Sequence, residues 1–372
     1  MVATREAAVA RALAWFDAGH FLDTLRRRVA YRTESQRADA RKELVAYLRD
    51  ELAPGLAAMG FSWRLVDEDA GAAPFLIAGR IEDPARTTVL SYAHGDVVAG
   101  QEGKWGAGRS PWHVADEGER WYGRGTADNK GQHSINLAAL AQVLEARGRL
   151  GFNVKLIVET GEELGSPGLR ALCERERDAL AAEVFIASDG PRLTAARPTL
   201  FLGSRGAFNF DLVVELRAGA HHSGNWGGLI ANPATILAGA IASLVDARGR
   251  MLIDALRTHF DAHGFRSVAV VPAKSTTMRA TRLDPANPWV ARVAASIERT
   301  TGAAPAILPG IGGSLPNDCF AEVLALPTIW IPHSYPACSQ HAPDEHLLAP
   351  VARDALAIMT GLWYDLGDNA AA

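Results

Sequence analysis

Histidine and carboxylate side chains that could share a metal ion follow several apolar runs of this chain. His94 and Asp96 stand in the segment HGD, directly after the run TTVLSYA. A histidine in this position can ligate a metal when its second ring nitrogen is held, and Asp96 is close enough in sequence to hold it. A simple turn after a strand gives the same three residues, so this segment alone does not establish a site.

Further carboxylates occupy comparable positions. Asp128, in GRGTADNKGQ, stands just before a predicted helix, where it either caps the helix or binds a cation. Glu162 and Glu163 follow a predicted buried strand in ETGEELGSPG. Adjacent acids are costly there unless a positive charge neutralises them, and the alternative is a solvated acidic loop. Asp189, in SDG, ends another predicted strand, where a turn aspartate is the alternative.

The segment PHSYPACSQHAPDEH offers three histidines in a proline-punctuated loop, which is typical of a ligand-bearing loop. We take His341 as the ligand and keep His333 and His346 as alternatives. Mixed nitrogen and oxygen ligands suit zinc, with manganese or cobalt as alternatives. Two ions bridged by a carboxylate would activate a water molecule, and one of the paired glutamates would take its proton.

Strands that alternate with helices position these residues. The segments TTVLSYAHGD, FNVKLIVETGEE and EVFIASDG are predicted strands, and KGQHSINLAALAQVLEARG and GSPGLRALCERERDALAA are predicted helices. The alternation predicts an α/β fold with a mostly parallel sheet and helices on both faces. Ligands bind beyond the carboxyl ends of the strands in such sheets, and the candidate residues stand at those ends.

The pattern changes after Asp189. The segments FNFDLVVELRAGAHHSG and STTMRATRLD are predicted strands, and NPATILAGAIASLVDARG is a predicted helix. We therefore place a smaller α+β domain at 195–305, inserted into a catalytic domain formed by 1–194 and 306–372. The segment ALPTIWIPH is predicted to be a further buried strand, which belongs to the larger domain. The apolar face of the inserted helix predicts a homodimer.

Composition narrows the class of protein. The chain has 372 residues, 48% hydrophobic and 22% charged, which is typical of a globular protein with two domains. A net charge of −4 provides no basic field for nucleic acid, and no apolar run is long enough to span a membrane. The N-terminal segment lacks a secretory pattern and the three cysteines are too few for a disulfide framework, so we expect a cytoplasmic protein.

Taken together, the motifs resemble zinc metallopeptidase family twenty, which contains aminoacylases, carnosinases and bacterial glutamate carboxypeptidases, and they are nearest its dipeptidase branch. The matching segments are HGD, GRGTADNKG, EELGSPG, SDG, and the pair His341 and Glu345. They occur in the family's order and cover most of the chain. The segments PNDCF and PHSYPACSQ depart from the best-known members, so the substrate stays open.

The resemblance implies two divalent metal ions per chain. The implied ligands form two sets that share one carboxylate: His94 and Asp189 on one ion, Glu163 and His341 on the other, and Asp128 on both. Glu162 would be the general base and acid, and Asp96 would orient His94. The Asp128–Asn129 peptide is expected to be cis.

The inserted domain carries further matches. The segment HHSGNWGG at 221–228 resembles a loop of the family's lid and dimerisation domain, where a histidine polarises the scissile carbonyl in the partner subunit. His222, directly before Ser223, fits this role better than His221. Arg279 resembles the lid arginine that holds a substrate carboxylate, with Arg282 as the alternative.

The implied function is hydrolysis of an amide bond in a small substrate with a free carboxylate, of the dipeptidase or carboxypeptidase type. Gly313 and Ser314, in GGSLP, resemble the substrate loop of the dipeptidase branch. An N-acyl-amino-acid deacylase would use the same chemistry with a different pocket. A catalytically silent metal-binding relative is the third alternative, and the intact Glu162 argues against it.

Overall fold

The chain folds into two compact units. The structure, a computed structural model, describes residues 3–67, 72–106, 108–219, 221–246, 255–272 and 277–368. The larger unit combines the residues up to 206 with those from 278 onward, and the smaller unit covers 207–277. Among the described residues, none of the helices combines the length and the apolar character that crossing a membrane requires.

The strands of the described residues, in chain order, are β1 (Ser62–Val66), β2 (Phe75–Arg80), β3 (Thr88–His94), β4 (Ala115–Glu117), β5 (Arg120–Tyr122), β6 (Asn153–Glu159), β7 (Val184–Ala187), β8 (Thr199–Phe201), β9 (Gly203–Ser204), β10 (Phe210–Val214), β11 (Val268–Pro272), β12 (Thr281–Arg282), β13 (Ala306–Leu308), β14 (Thr328–Trp330) and β15 (His346–Leu348).

The α-helices, in chain order, are α1 (Arg5–Asp17), α2 (His20–Ala30), α3 (Arg41–Ala46), α4 (Ala53–Ala58), α5 (Lys130–Arg147), α6 (Leu169–Arg175), α7 (Arg177–Leu180), α8 (Ser223–Trp226), α9 (Pro233–Leu244), α10 (Leu256–Ala262), α11 (Pro288–Thr301) and α12 (Ala349–Asp368). Short 3-10 turns cover Glu102–Lys104 and Glu162–Leu164, and wider π-helical turns cover Tyr47–Leu52 and Cys319–Val323.

An eight-stranded sheet forms the centre of the larger unit, in the order β1-β2-β6-β3-β7-β14-β8-β13. Strands β6, β3, β7 and β14 run parallel to one another, and β8 runs parallel to β13. The pairs β1/β2, β2/β6 and β8/β14 are antiparallel. The predicted mostly parallel sheet is therefore confirmed, with antiparallel pairs joined to it.

Apolar side chains alternate between the two faces of this sheet. Val89 and Ala93 of β3 belong to the core cluster that contains α1, α5 and α12, whereas Leu90 and Tyr92 belong to the cluster that contains α6. Because side chains of a strand point alternately to opposite faces, this division shows that helices cover both faces. Burying one large aliphatic side chain in such a core stabilises the fold by about 1.5–3 kcal/mol.

The smaller unit has its own small core. Strands β10 and β11 pair antiparallel, and α9 and α10 pack on them through Ala240, Leu244, Phe260 and Val268. The side chain of Asn232 caps the first turn of α9 by accepting the N–H of Ala234 at 2.9 Å. This antiparallel pair with two helices is the α+β arrangement that the sequence predicts.

The boundaries of the smaller unit are narrower than the predicted 195–305. Strand β8 lies in the large sheet beside β13 and β14, and α11 packs against α12, so these elements belong to the larger unit. The strand predicted over STTMRATRLD is limited to β12, which pairs with β9. Residues 275 and 276, the first two of that predicted strand, lie outside the described residues.

Candidate metal centre

Loops at the carboxyl ends of three neighbouring parallel strands bring the candidate ligands together. His94 is the last residue of β3, Glu162 and Glu163 follow β6 in a 3-10 turn, and Asp189 follows β7 by two residues. Strand β3 lies between β6 and β7, so these three loops meet at one edge of the sheet. The structure thus places these residues at the strand ends where the sequence predicts them.

A first group of candidate ligand residues is buried. His94 Nε2 lies 2.9 Å from Asp128 Oδ1 and 3.5 Å from Asp189 Oδ2. The three side chains offer one ligand atom each within 4.8 Å of one another. One imidazole nitrogen and two carboxylate oxygens are a donor set that suits a divalent ion such as zinc.

A second group shares Asp128 with the first. Asp128 Oδ2 lies 2.9 Å from His341 Nε2, which is also 3.2 Å from Glu163 Oε1. That glutamate oxygen is buried and makes no contact with hydrogen-bond geometry. Because an unsatisfied buried carboxylate oxygen is costly, its position favours a cation at this point. The two oxygens of Asp128 therefore face the two groups.

The charge balance of the site also fits an added cation. Burial and, after it, the neighbouring charge of Asp128 raise the pKa of Glu163 to about 7. Burial and the charge of Asp128 likewise raise the pKa of Asp189. Burial opposes ionisation of Asp128, but hydrogen bonds with His341 and His94 outweigh it and lower the pKa of that carboxyl. A positive charge would stabilise all three carboxylates together.

Asp96 has a wider structural role than the orientation of His94. His94 Nδ1 lies 3.1 Å from the backbone oxygen of Asp96 and 3.3 Å from its Oδ1. The same carboxylate accepts the backbone N–H groups of Glu162 and Glu163, at 3.2 and 3.1 Å. Asp96 thus joins the loop after β3 to the turn that carries both glutamates, a contact that sequence spacing does not reveal.

Glu345 fixes the loop that carries Asp128. Its carboxylate accepts the N–H groups of Gly125, Ala127 and Asp128 at 2.9–3.1 Å, and Arg124 Nη1 donates to it at 2.8 Å. The Asp128–Asn129 peptide is cis, as the family resemblance implies. The pair His341 and Glu345, which carries part of the family resemblance, is the sequence signal for this contact, and both residues lie in the loop before β15.

A glycine permits the sharp return of the chain into α5. A Cβ on Gly131 would lie 1.9 Å from the carbonyl oxygen of Thr126, a distance that no side chain tolerates. The glycine therefore allows the Asp128 loop to fold back directly onto the first turn of the helix.

The two alternative histidines make contacts elsewhere. His333 is fully buried, with Nε2 2.9 Å from Ser188 Oγ and 3.1 Å from Asn136 Oδ1. His346 lies 2.6 Å from the hydroxyl of Tyr335. Neither belongs to a ligand group among the described residues, whereas His341 does.

A cavity of about 620 Å³ opens beside the two ligand groups. Asp128, Glu162, Asp189 and His341 lie at its polar end. Gly313 and Ser314, predicted to contact the substrate, line the same cavity, as does Gln340, which the sequence did not single out. Gln340 Nε2 donates to Asp128 Oδ2, and its position directly before His341 is the signal that could have identified it.

The remaining predicted residues lie away from the ligand groups in sequence. His222, in the smaller unit, is exposed and accepts the N–H of Gly224 on Nδ1 at 3.1 Å. Arg279 falls in the larger unit rather than the smaller, outside any strand, and its Nη1 lies 3.2 Å from Glu322 Oε2. Arg282, the alternative, lies in β12 and is also exposed.

Known proteins resemble this chain in sequence and in fold. Residues 90–365 match the model of the family described as peptidase family M20/M25/M40. The Beta-Ala-His dipeptidase of Mus musculus is 35% identical over 182 residues, which are 48% of this chain and 37% of that protein. The cysteinylglycine-S-conjugate dipeptidase of Corynebacterium striatum is 35% identical over 173 residues, 46% of this chain and 37% of that protein. These alignments span less than two fifths of either relative.

Solved structures match over nearly the whole chain. Human carnosine dipeptidase 1 superposes with a TM-score of 0.79 at 19% identity, over 97% of this chain and 100% of that one. The M20 family metallo-carboxypeptidase Sso-CP2 from Sulfolobus solfataricus superposes with a TM-score of 0.81 at 21% identity, over 94% and 99%. At these identities the likeness shows the fold, and it confirms the predicted α/β architecture.

Proposed function

The chain belongs to peptidase family M20/M25/M40, and from that premise we propose that it hydrolyses an amide bond in a small substrate with a free carboxylate. The proposed type is a metal-dependent dipeptidase or carboxypeptidase. The relatives with matching sequence are named as dipeptidases, and the structural neighbours include a carboxypeptidase. Their names give the substrate class that we propose for this chain.

The observation that carries the proposal is the carboxylate that both ligand groups share. Asp128 presents Oδ1 to His94 and Oδ2 to His341, so one side chain contributes to both groups. We assign one divalent ion to His94, Asp189 and Asp128, and a second to Glu163, His341 and Asp128. Zinc is the expected metal, with manganese or cobalt as alternatives. When bound, such ions lower the pKa of a water molecule and polarise a carbonyl oxygen.

Glu162 is the residue that we propose as the general base and acid. It lines the cavity beside Asp128 and Asp189 but belongs to neither ligand group, so its carboxylate is available to accept and donate a proton. It takes the proton from the attacking water as the carbon–oxygen bond forms. It then gives that proton to the amide nitrogen as the carbon–nitrogen bond breaks, which releases a free amine and a carboxylate.

Two further roles rest on the family resemblance. We propose that His222 stabilises the developing oxyanion from the partner subunit of a homodimer, because a donor placed there lowers the barrier. We propose that Arg279 holds the substrate carboxylate, since its planar guanidinium can donate two hydrogen bonds to it. Arg282 is the alternative for this second role.

A substrate screen tests the proposed reaction. Zinc-loaded protein is incubated with dipeptides, among them Cys-Gly and β-Ala-His, and with N-acetyl amino acids, and the released amine is measured. We expect release from dipeptides and little from N-acetyl amino acids. The reverse preference would assign a deacylase, and no release from either class would favour the catalytically silent alternative.

Metal analysis tests the ligand assignment. We expect Asp128→Ala to lose metal from both positions, because the substitution removes a ligand of each group. Asp116→Ala, which removes an exposed carboxylate from β4, serves as the matched control and should keep its metal. Full metal content in the Asp128→Ala protein would show that the shared ligand is assigned wrongly.

A further inference from the structure

The cavity beside the ligand groups has an apolar wall in addition to its polar lining residues. Five large apolar side chains from separate segments form this wall: Leu193, Phe201, Leu308, Ile311 and Leu315. Phe201 ends β8 and Leu308 ends β13, so the edge strand β13 and its neighbour β8 both contribute to it directly. The volume of about 620 Å³ is within the range of pockets that hold small molecules.

The apolar wall begins next to a candidate ligand. A Cβ on Gly190, the residue after Asp189, would lie 2.1 Å from Ile311 Cδ1, so Ile311 packs directly on that glycine. Gly190 has a φ of 69°, which favours glycine on conformational grounds as well. A substrate whose scissile bond lies at the ligand groups therefore places a neighbouring side chain near Ile311.

The cationic side chains at this wall are already engaged. Arg192 is among the lining residues, but its side chain is only 2% exposed and its Nη1 lies 2.8 Å from Asp354 Oδ2. Its Nη1 also donates to the carbonyl oxygen of Ala195. Arg205 donates to the carbonyl oxygen of Gly312 and is not one of the lining residues. A charged substrate side chain would lose water here without gaining a partner, which disfavours it.

We propose that this wall is a subsite for an apolar substrate side chain, so that the substrates are dipeptides with a large aliphatic residue at one of their two positions. The inference rests on the proposed function, because it places the scissile bond at the ligand groups. Leu193 is the specificity residue that can be tested most cleanly. It is 46% exposed and lines the cavity, so a polar replacement there does not disturb the core.

Binding to a catalytically impaired variant tests the subsite independently of turnover. Zinc-loaded Glu162→Gln protein is titrated calorimetrically with Leu-Gly, Glu-Gly and Lys-Gly, and with Gly-Leu, Gly-Glu and Gly-Lys. One methylene in an apolar pocket changes selectivity by about 10- to 200-fold. We therefore expect the leucine peptide of one series to bind at least about tenfold tighter than both charged peptides of that series.

A second substitution, in the same background, reverses the preference. Leu193→Arg should weaken binding of the favoured leucine peptide by about tenfold and strengthen binding of the glutamate peptide. Ile307→Arg is the matched control, because Ile307 precedes Leu308 in β13, is 44% exposed and does not line the cavity. It should leave all six affinities unchanged.

The possible results distinguish failure of the apolar subsite from failure of the proposed hydrolysis. Equal affinities within both series, no binding of any peptide, or an unchanged preference in the Leu193→Arg protein would each overturn the apolar subsite, even if wild-type protein hydrolyses dipeptides. A leucine preference that Leu193→Arg reverses would support it, even if wild-type protein releases no amine. In that case the proposed function fails and the subsite stands.

Discussion

The adjacent residues Glu162 and Glu163 differ in what surrounds them, although the sequence presents them as an equivalent pair. Glu163 Oε1 joins Asp128 and His341 in a ligand group, whereas Glu162 joins neither group and lines the cavity. Asp96 accepts the backbone N–H of both residues, and these two hydrogen bonds hold the turn that carries them. One 3-10 turn thus supplies two carboxylates with different surroundings.

The first prediction concerns Glu162. We expect Glu162→Gln to keep its metal and its fold but to lose at least about 10²–10⁴-fold in turnover, because an amide cannot accept the proton of the attacking water. Metal content by elemental analysis and kcat on the favoured dipeptide measure the two effects. Near-normal kcat would assign the proton transfer to another residue, and loss of metal would make Glu162 a ligand.

Single residues also show what the sequence could and could not predict. His94 and Asp189 were predictable because the end of a buried parallel strand is a position that the apolar pattern itself marks. The apolar wall was not, because Leu193, Phe201 and Ile311 come from separate segments whose packing no local pattern encodes. The choice between His341 and His333 likewise depends on tertiary contacts, since His333 is buried against Ser188.

At the scale of elements, Glu345 connects the start of β15 to the loop before α5. Its side chain and that of Arg124 are each only 1% exposed. Burial raises the pKa of Glu345 although the charge of Arg124 lowers it, so the intact pair stabilises the fold little. Removing one partner destabilises the fold more strongly, because the other partner is then left as an unpaired buried charge.

The second prediction follows from that asymmetry. Glu345→Gln should lower the free energy of unfolding by about 3 kcal/mol and weaken metal binding, because Arg124 is left as an unpaired buried charge and the Asp128 loop keeps only one of two accepting oxygens. Glu145→Gln, at an exposed ion pair with Arg11, should change the free energy of unfolding by less than about 1 kcal/mol. Denaturant unfolding and metal titration measure both effects. Unchanged metal affinity would show that the loop is held by other contacts.

The third prediction concerns the connection between the end of β2 and the turn before β6. Glu82 accepts the N–H groups of Leu150 and Gly151, at 2.7 and 2.8 Å, and pairs with Arg80. Burial opposes its ionisation, but these hydrogen bonds outweigh burial and lower its pKa from the ordinary value of 4.5. The carboxylate therefore stabilises the folded state above pH 4.5, and the contribution is lost as the pH falls towards the lower folded-state pKa.

Denaturant unfolding as a function of pH measures this contribution. Wild-type protein should lose more free energy of unfolding between about pH 5 and pH 3 than Glu82→Gln protein does. Glu145→Gln removes an exposed carboxylate from α5 and controls for the change in net charge. Identical pH slopes for wild-type and Glu82→Gln protein would contradict the role of Glu82.

At the scale of the whole molecule, the smaller unit exposes large apolar side chains that its own core does not cover. They include Ile241 of α9, which is 49% exposed, together with Phe208, Val213, Trp226, Leu229 and Val271. Apolar surface that a unit leaves exposed is typical of an association surface. We propose a homodimer through this unit, as the apolar α9 pattern and the family resemblance suggest.

The fourth prediction tests the dimer. Light scattering at micromolar concentration should give a dimer for wild-type protein, and Ile241→Arg should shift it towards monomer because the charge would be buried in the interface. Ile81→Arg is the matched control, since Ile81 follows β2 in the larger unit and is 52% exposed. A wild-type monomer would contradict the proposal.

The fifth prediction tests the proposed role of His222 across that dimer. His222→Ala and Glu162→Gln proteins should each have low activity, because each lacks one group that the reaction needs. After subunit exchange, a mixed dimer carries both defects in one site and none in the other, so activity should partly return. If exchange is verified and activity stays low, His222 does not act across the dimer.

The position of β14 in the sheet has a consequence for synthesis of the chain on the ribosome. Strand β14 lies between β7 and β8 although it follows both in sequence by more than a hundred residues. A nascent chain that has emerged only as far as β13 therefore has two strands with unpaired backbone groups facing an empty place in the sheet. Such open edges pair readily with other chains, so translational pausing before residue 328 should favour aggregation. Any N-terminal fragment that stops there carries the same hazard.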